Sequence, residues 1–505
     1  MQINAYSNKL SAWQWLLLIV SCVFAYRISV TINTPITLFY DEAYYLSWAQ
    51  NLDWGYYSKP PMVAWLIATT TAIFGMAEWA VKLSAPVLYA ATALLCFAIN
   101  KHLFNDKAGF WAGLMFMIMP LVSLNSLFVT TDAPQLFFWA AAFYAFLRAQ
   151  SSNAWQYWLL AGVLGGCGLL SKYTFILLPV TFLLYAIISQ SGRAILTNSR
   201  FWLACALAIS ILLPNLIWNY HHDFISFQHT SEISKHAENT LSFARMFEFL
   251  ALQLIVFGPI ALIILIACGL SKKTSPEPKQ NQQTKDSVKL LWCLFLPTLL
   301  VISLQALTAR ANMNWAAAAF VGASLLAGYY FAQMWQSNKR TKLVIASAVA
   351  INLFLMLAFY HFNGFTQLIG VERTQHNDPY KRILKWPELV RQFDADFQQN
   401  PQMKLASDSR KLLAYFGYYL TNQDFQGAHL DGSEHIGDHY ELKYAIAKQP
   451  ANEYFFVTQD WTEQELQTHF QSVKLIKQQK VKVYKNFDRE VRLYQVGGFK
   501  QENNK

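Results

Sequence analysis

Of the 505 residues, 54% are hydrophobic and only 14% are charged, with 37 Phe, 25 Tyr and 17 Trp. A soluble domain is nearer a quarter charged, so most of this chain must face lipid or other apolar helices. The formal net charge is +10, but its distribution along the chain says more than its size. All six cysteines (Cys22, Cys96, Cys167, Cys205, Cys268, Cys293) lie in apolar segments, which argues against a disulfide framework.

Apolar runs long enough to cross a bilayer, or nearly so, recur at about 12–32, 79–99, 109–125, 131–148, 156–171, 174–190, 201–218, 248–269, 289–306, 315–334 and 342–361. The first follows Lys9 without a small-residue cleavage signal and reads as a retained span. Between the first two runs lies Leu38–Gly75, with adjacent carboxylates (Asp41, Glu42), a run of aromatics, and Lys59 just before Pro60-Pro61. Asp41–Gln50 is expected to form a short interfacial helix with Tyr and Trp at headgroup depth. Pro60-Pro61 interrupts the backbone, and Met62–Phe74 starts a second, more apolar helix.

Basic residues set the topology. With the N-terminus inside, the inner loops carry Lys101, Lys107, Arg148, Arg193, Arg200, the Lys272–Lys289 segment, Lys339, Arg340 and Lys342. The Lys272–Lys289 segment has the Pro/Gln/Ser composition of a disordered connector. From about Gly370 the composition becomes that of a soluble domain. Trp386–Gln399 and Ser409–Leu420 read as helices, Lys404–Ser407 and Glu453–Thr458 as strands. Thr462 with Glu465 forms a capping box, and Val481–Tyr484 with Val491–Val496 a closing hairpin. The expected architecture is thus a polytopic α-helical membrane protein of about 11 spans, N-terminus in and C-terminus out. Its membrane domain covers 1–365 and includes an outer loop at 33–78. A soluble α/β domain, expected in the periplasm, follows at 366–505.

Chemistry concentrates on the outer face. Two acids and a lysine beside a bilayer are costly unless used. Either Asp41 or Glu42, with Asp41 favoured, serves as a general base on an acceptor hydroxyl; the alternative is a helix-start charge. Lys59 either binds a phosphate as a compact point charge or snorkels to headgroups. Asp132, in FVTTDAPQLFFW, either caps a helix or orients Lys59 or Lys172, and Lys172 is otherwise an ordinary interfacial lysine. Arg310, in TARANMNW, could pair with a phosphate. The loop WNYHHDFISFQHTSEISKH offers His221, His222 and His229 to a divalent metal, although the spacing fits no firm zinc pattern. There is no Ser-His-Asp set, nucleophilic cysteine, Walker loop or dinucleotide fingerprint, so neither a nucleotide cofactor nor a nucleic-acid partner is expected. A lipid-linked sugar transporter or flippase is the competing class. It would place its charges at mid-membrane on broken helices, whereas here they cluster at one face.

The segments YDEAYYLSWAQNLDWGYYSKPPM, TTDAPQLFFW, GLLSKYT, PNLIWNYHHDFISFQH and NMNWAAAA together resemble the bacterial protein O-mannosyltransferase-like family. This is the GT-C group that includes the lipid A aminoarabinose transferase. The resemblance covers about 12–361, with a weaker likeness through DPYKRILKW and DHYEL. It implies an inverting glycosyltransferase in the bacterial inner membrane, working at the periplasmic face. The donor is a polyprenyl-phosphate sugar and the acceptor lipid A, lipopolysaccharide or another envelope molecule. Asp41 takes the place of the family's catalytic carboxylate and Lys59 that of the lysine near the donor phosphate. Lys172, Arg310, Tyr44 and Tyr45 complete the expected phosphate set. His222 falls where some members place a metal ligand. Two departures point away from aminoarabinose. Tyr44 stands where those enzymes have an Arg, and Ser58 where they have an acid before the Lys-Pro.

Overall fold

The computed structural model describes residues 10–235, 241–271, 281–430, 436–448 and 451–500. The chain divides into two compact units, one of 1–31 with 82–362, the other of 32–81 with 363–505. The Asp-Glu loop therefore belongs to the same unit as the C-terminal segment.

The first unit is helical. Each of the eleven apolar runs is helix over most of its length. By length and composition five described helices can cross a membrane: Ala12–Asn33, Glu78–Leu103, Ser199–His221, Gln282–Thr308 and Lys339–Tyr360. A sixth is available if Phe243–Phe257 and Pro259–Leu270, bent by 108°, count as one span. The bend has a local cause. Pro259 lacks the N–H that would continue the first helix, and Gly258 adopts φ 102°. A Cβ at Gly258 would collide with the Asn352 side chain, so both the backbone angle and the space require glycine. Of the expected connector, 272–280 lies outside the described residues, while 282–289 forms the first turns of Gln282–Thr308, started by Asn281, whose side chain accepts from the Gln283 N–H.

At the centre of this unit Ala319–Met334 is buried on every side from Ala319 to Ala332. That is possible because its small residues let backbones approach: a Cβ on Gly328 would lie 2.6 Å from both the Ala108 carbonyl oxygen and the Ala112 Cβ. Charged side chains lie deep inside as well, Arg27 among them. Arg27 is 0% exposed and donates to Tyr360 Oη at 2.9 Å, the Met117 carbonyl at 2.7 Å and Ser123 Oγ at 3.3 Å. With its donors satisfied, this arginine ties the first helix to Lys339–Tyr360 and to the Met117–Ser123 break.

The second unit holds a five-stranded sheet: β1 (Lys404–Ser407), β2 (Ala428–His429), β3 (Glu453–Thr458), β4 (Phe470–Tyr484) and β5 (Phe487–Phe499). The order is β2-β1-β3-β5-β4, with β1 parallel to β2 and β3, and β5 antiparallel to β3 and β4. The hairpin strands are longer than alternation alone suggested, since the ladder carries on past the alternating stretches. The capping box forms as expected, with Thr462 N–H donating to Glu465 Oε2 at 2.6 Å.

Helices Tyr40–Gln50 and Met62–Phe74 form where the sequence places them. The first is not an interfacial helix with aromatics at headgroup depth, because Glu42 to Ala49 are all buried in protein. Its aromatic face packs on Arg410–Tyr419, which is itself buried from Leu412 to Tyr419. Tyrosine hydroxyls fix the pairing: Tyr419 Oη accepts from the Leu38 N–H at 3.1 Å and donates to Glu78 Oε1 at 2.9 Å. Tyr418 Oη donates to the Met76 carbonyl at 2.7 Å.

Candidate active site

In the second unit, Asp41 sits in the first turn of Tyr40–Gln50, opposite the first residue of Arg410–Tyr419. Arg410 Nη2 lies 3.9 Å from Asp41 Oδ1, and each side chain is about a third exposed, 33% and 34%. The separation is an ion-pair contact, longer than a hydrogen bond. The guanidinium is held from the side by aromatic faces, 5.4 Å from the Tyr44 ring centroid and 5.9 Å from that of Tyr40. Burial lifts the Asp41 carboxyl above the ordinary aspartate value, although the fields of Arg410, Lys59 and Arg382 pull it back down. Burial alone would depress the Arg410 guanidinium, but Tyr44, Asp41 and Asp438 more than offset it and hold the group above its ordinary value. A carboxylate raised toward neutral pH, with an edge open to solvent, can accept a proton from an incoming hydroxyl.

Glu42 is placed differently from its neighbour. It is 1% exposed, and its Oε2 accepts from the Phe39 N–H at 2.8 Å, closing the start of its own helix. It supports the turn that aims Asp41 and has no open face of its own. Tyr44 also differs from expectation: its buried hydroxyl accepts from the His439 N–H at 2.5 Å, so its role is to anchor the backbone and back Arg410. Burial pushes that phenol well above its ordinary value, which keeps it protonated. Tyr45 is buried against Trp48, centroids 4.9 Å apart. Below them Trp48 stacks on Tyr56 at 4.6 Å and 3°, with His439 edge-on to both rings. Lys59, half-buried, acts on Asp41 through its charge.

In the first unit, Asp132 and Lys172 are brought together. The Asp132 carboxylate accepts from Lys172 Nζ at 2.7 Å, Asn314 Nδ2 at 2.6 Å and Asn125 Nδ2 at 3.4 Å. Of the two expected roles for Asp132, orienting Lys172 is the one this geometry supports. Lys172 in turn is engaged by a carboxylate. Arg310 is exposed, just ahead of the Met313–Ala316 turn that carries Asn314.

The histidines do not assemble. His222 Nδ1 lies 2.8 Å from the Trp218 carbonyl and the ring stacks on Trp218, centroids 4.0 Å apart. His221 ends the Ser199–His221 helix, Asp223 and Phe224 turn through φ 51° and 54°, and His229 follows on the next helix. Among the described residues no three His, Cys, Asp or Glu side chains could hold a metal ion together. The reason is local, since one ring is committed to its own preceding turn and the left-handed pair splits the others. His236 lies outside the described residues.

Arg410 is the site residue that reading the sequence missed, along with Asp438, which accepts from the Glu441 N–H at 3.0 Å and starts the turn carrying His439. Nothing in SDSRKL marks its arginine as different from a helix-start surface residue. The one indirect signal is Tyr44 itself, at the position where the resemblance led an arginine to be expected.

Comparison with known proteins places these features. The model of the dolichyl-phosphate-mannose-protein mannosyltransferases matches residues 58–218. Lipid A galacturonosyltransferase RgtD of Rhizobium johnstonii is 29% identical over 432 residues, 85% of this chain and 88% of that protein. An undecaprenyl phosphate-alpha-4-amino-4-deoxy-L-arabinose arabinosyl transferase of Pseudomonas fluorescens is 25% identical over 48% of this chain and 44% of its own. The fold matches that of ArnT from Cupriavidus metallidurans in the apo state, with a TM-score of 0.59 and 14% identity over 95% of this chain and 97% of that one. The chain is thus similar to glycosyltransferases of the protein O-mannosyltransferase-like kind, the aminoarabinose transferases among them. It is a membrane protein.

Proposed function

We propose that this enzyme transfers a sugar from a polyprenyl-phosphate donor to lipid A or the lipopolysaccharide core, at the periplasmic face of the bacterial inner membrane. Asp41 is the general base. The acceptor hydroxyl oxygen attacks the anomeric carbon as its proton passes to Asp41. The bond between that carbon and the phosphate oxygen breaks, and polyprenyl phosphate leaves with the electron pair. Attack from the face opposite the leaving group inverts the anomeric centre. Lys59 and Arg410 supply positive charge beside the reacting groups, where a preorganised cation is worth most. Since the activated donor arrives dissolved in the membrane, the chemistry needs no nucleotide site. The basic residues of the intervening loops, Lys101 to Lys342, support an orientation with the Asp41 side outward. The C-terminal segment takes part in the site by supplying Arg410.

The carrying observation is Asp41: a carboxylate lifted by burial, open on one edge, beside a cation, in a chain similar to these transferases. The test is incubation of purified protein in nanodiscs with radiolabelled polyprenyl-phosphate sugars and lipopolysaccharide, comparing wild type with Asp41→Asn. Transfer that is lost in the variant supports the assignment. Equal transfer by both removes Asp41 from the mechanism, and none from wild type with any donor favours a transporter.

A further inference from the structure

We propose that a cleft in the second unit, with none of the Asp41-site residues in its lining, holds the headgroup of a phospholipid that carries both a phosphate and a primary ammonium, a lipid of the phosphatidylethanolamine type. The inference does not depend on the transferase reading, because it needs only that the chain crosses a membrane.

The cleft has a volume of about 570 Å³, within the roughly 300–1,000 Å³ of small-molecule sites. Its walls come from three stretches of chain: Pro35 with Thr37, Arg373 to Glu388, and Tyr484 at the end of β4. The first two are tied together, since Thr37 Oγ1 donates to the Ile383 carbonyl at 2.6 Å. Both also come directly off membrane-crossing helices. Pro35 follows the end of Ala12–Asn33 by two residues, a reach of at most about 7 Å, and a headgroup layer is about 5–7 Å deep. Arg373 follows Lys339–Tyr360 by way of Leu368, Ile369 and Val371, apolar residues that are all exposed, Leu368 by 84%. An open apolar run next to a charged cleft suits an amphiphile, chains on one side and headgroup on the other.

The lining is charge-balanced, and that selects a zwitterion over a simple anion. Arg373 and Lys385 bring two positive charges; Glu388 and the Asp378 carboxylate behind Arg373 bring two negative ones. Next along the chain, Glu372 and Lys485 add one of each sign. Asp431 and Glu434, outside the described residues, come in the chain just after β2, the edge strand opposite β4. Asp378 is sealed: it accepts from Arg373 Nη2 at 2.6 Å, Arg373 Nε at 2.9 Å and Tyr484 Oη at 2.7 Å. Arg373 Nη1 donates to Asn363 Oδ1 at 2.8 Å. Among the described residues this leaves two of roughly five guanidinium N–H groups for a ligand. Lys385 and Glu388 are the opposite case, a half-exposed pair that meets only each other. So open an ion pair adds little stability and exchanges partners readily. A phosphate taken by Arg373 and Lys385 releases Glu388 to an ammonium on the same ligand, and no charge is stranded. A phosphate without that ammonium would face Glu388 unpaired. The backbone agrees: Lys385 turns through φ 67°, a left-handed conformation that a residue with a Cβ adopts at a cost, and it is the residue carrying the cation.

The test is native mass spectrometry of the purified full-length protein in mild detergent. It is titrated with phosphatidylethanolamine, phosphatidylcholine or phosphatidylglycerol of identical acyl chains, for wild type, Glu388→Gln and Lys385→Gln. Both changes fall on half-exposed side chains, and melting temperatures verify folding. Lipid held loosely around the apolar belt adds equally to every variant, so differences between variants report the cleft. Wild type is expected to bind phosphatidylethanolamine at least about tenfold tighter than the other two, because phosphatidylcholine has no N–H for Glu388 and phosphatidylglycerol has no ammonium. Glu388→Gln is expected to bring phosphatidylethanolamine to within about threefold of phosphatidylglycerol, and Lys385→Gln to weaken both by about tenfold. Soluble glycerophosphoethanolamine, which lacks the chains, is expected to compete at least about tenfold more weakly than the lipid. Equal binding of the three lipids by wild type, a preference for phosphatidylglycerol, or affinities unchanged in either variant overturns the proposal. Glycerophosphoethanolamine bound as tightly as the lipid overturns the assignment to a membrane lipid.

Discussion

Lys172→Met should be among the more damaging single changes in the first unit, for reasons the Asp132 environment makes quantitative. The Lys172 and Asp132 side chains are 15% and 2% exposed, and they meet at 2.7 Å. Removing the ammonium leaves a nearly sealed carboxylate with only the Asn314 and Asn125 amides as donors. Breaking a buried pair from one side costs about 3–5 kcal/mol, because the surviving charge stays desolvated. The reverse change, Asp132→Asn, should cost less, about 1–2 kcal/mol, since the lysine left behind has a longer stem and more contact with solvent. The double variant should be more stable than the sum of the single losses by at least about 1 kcal/mol. The assay is reversible unfolding of each variant in mixed micelles by titration with denaturing detergent, followed by tryptophan fluorescence. Asp132→Asn costing as much as Lys172→Met, or single effects that add within about 0.5 kcal/mol, would refute the reasoning and return Lys172 to the ligand-binding set.

Three further outcomes follow, two from the site and one from the Gly258 bend. For Asp41, burial means that the folded state holds the proton more tightly than the unfolded chain. Stability from this group is therefore full below the ordinary aspartate value and declines as pH rises through the raised one. The acid limb of kcat/KM should accordingly lie above the ordinary aspartate range and fall about tenfold per pH unit, while Asp41→Asn abolishes transfer without lowering the melting temperature at pH 7. Tyr44→Phe strands the buried His439 N–H now donating at 2.5 Å, and should cost about 1–3 kcal/mol of stability. Gly258→Ala, forced into φ 102° and against Asn352, should reduce the yield of folded protein in detergent, measured by size-exclusion chromatography, far more than Gly364→Ala, where a Cβ meets nothing within 4 Å.

What was legible in the sequence was whatever one segment decides alone. The apolar runs, Met62–Phe74, Lys404–Ser407, Arg410–Tyr419 and the Thr462–Glu465 cap all follow from period, propensity or a turn-forming pair. Errors arose where a second segment intervened. Tyr40–Gln50 is aromatic on several faces, a pattern that suits a lipid interface as well as it suits burial. Only the packed Arg410–Tyr419 helix makes the difference. Likewise Asp41 and Glu42 are chemically equivalent as a sequence pair. The helix start separates them, because the residue three places past Phe39 reaches back to its N–H and its neighbour cannot.

The same logic explains why the candidate base was visible and its partner cation was not. A carboxylate beside a predicted membrane segment is conspicuous because its burial is expensive. An arginine in a soluble segment is inconspicuous because exposed arginines are common. Arg410 acquires meaning only through Tyr44, and Tyr44 only through Arg410: the ring supplies a face for a cation that its own position lacks. An arginine at position 44 would extend from the helix of Asp41 and move with it. Arg410 enters from a different segment of the chain, so the separation between base and cation depends on how those two helices pack. Changes that loosen this packing without touching either charge, such as loss of the Tyr419 hydroxyl between Leu38 and Glu78, should therefore shift the pH dependence of transfer as well as stability. Tyr419→Phe provides that test. An acid limb identical to wild type in a measurably destabilised variant would show that the geometry of the Asp41–Arg410 pair is fixed by other contacts.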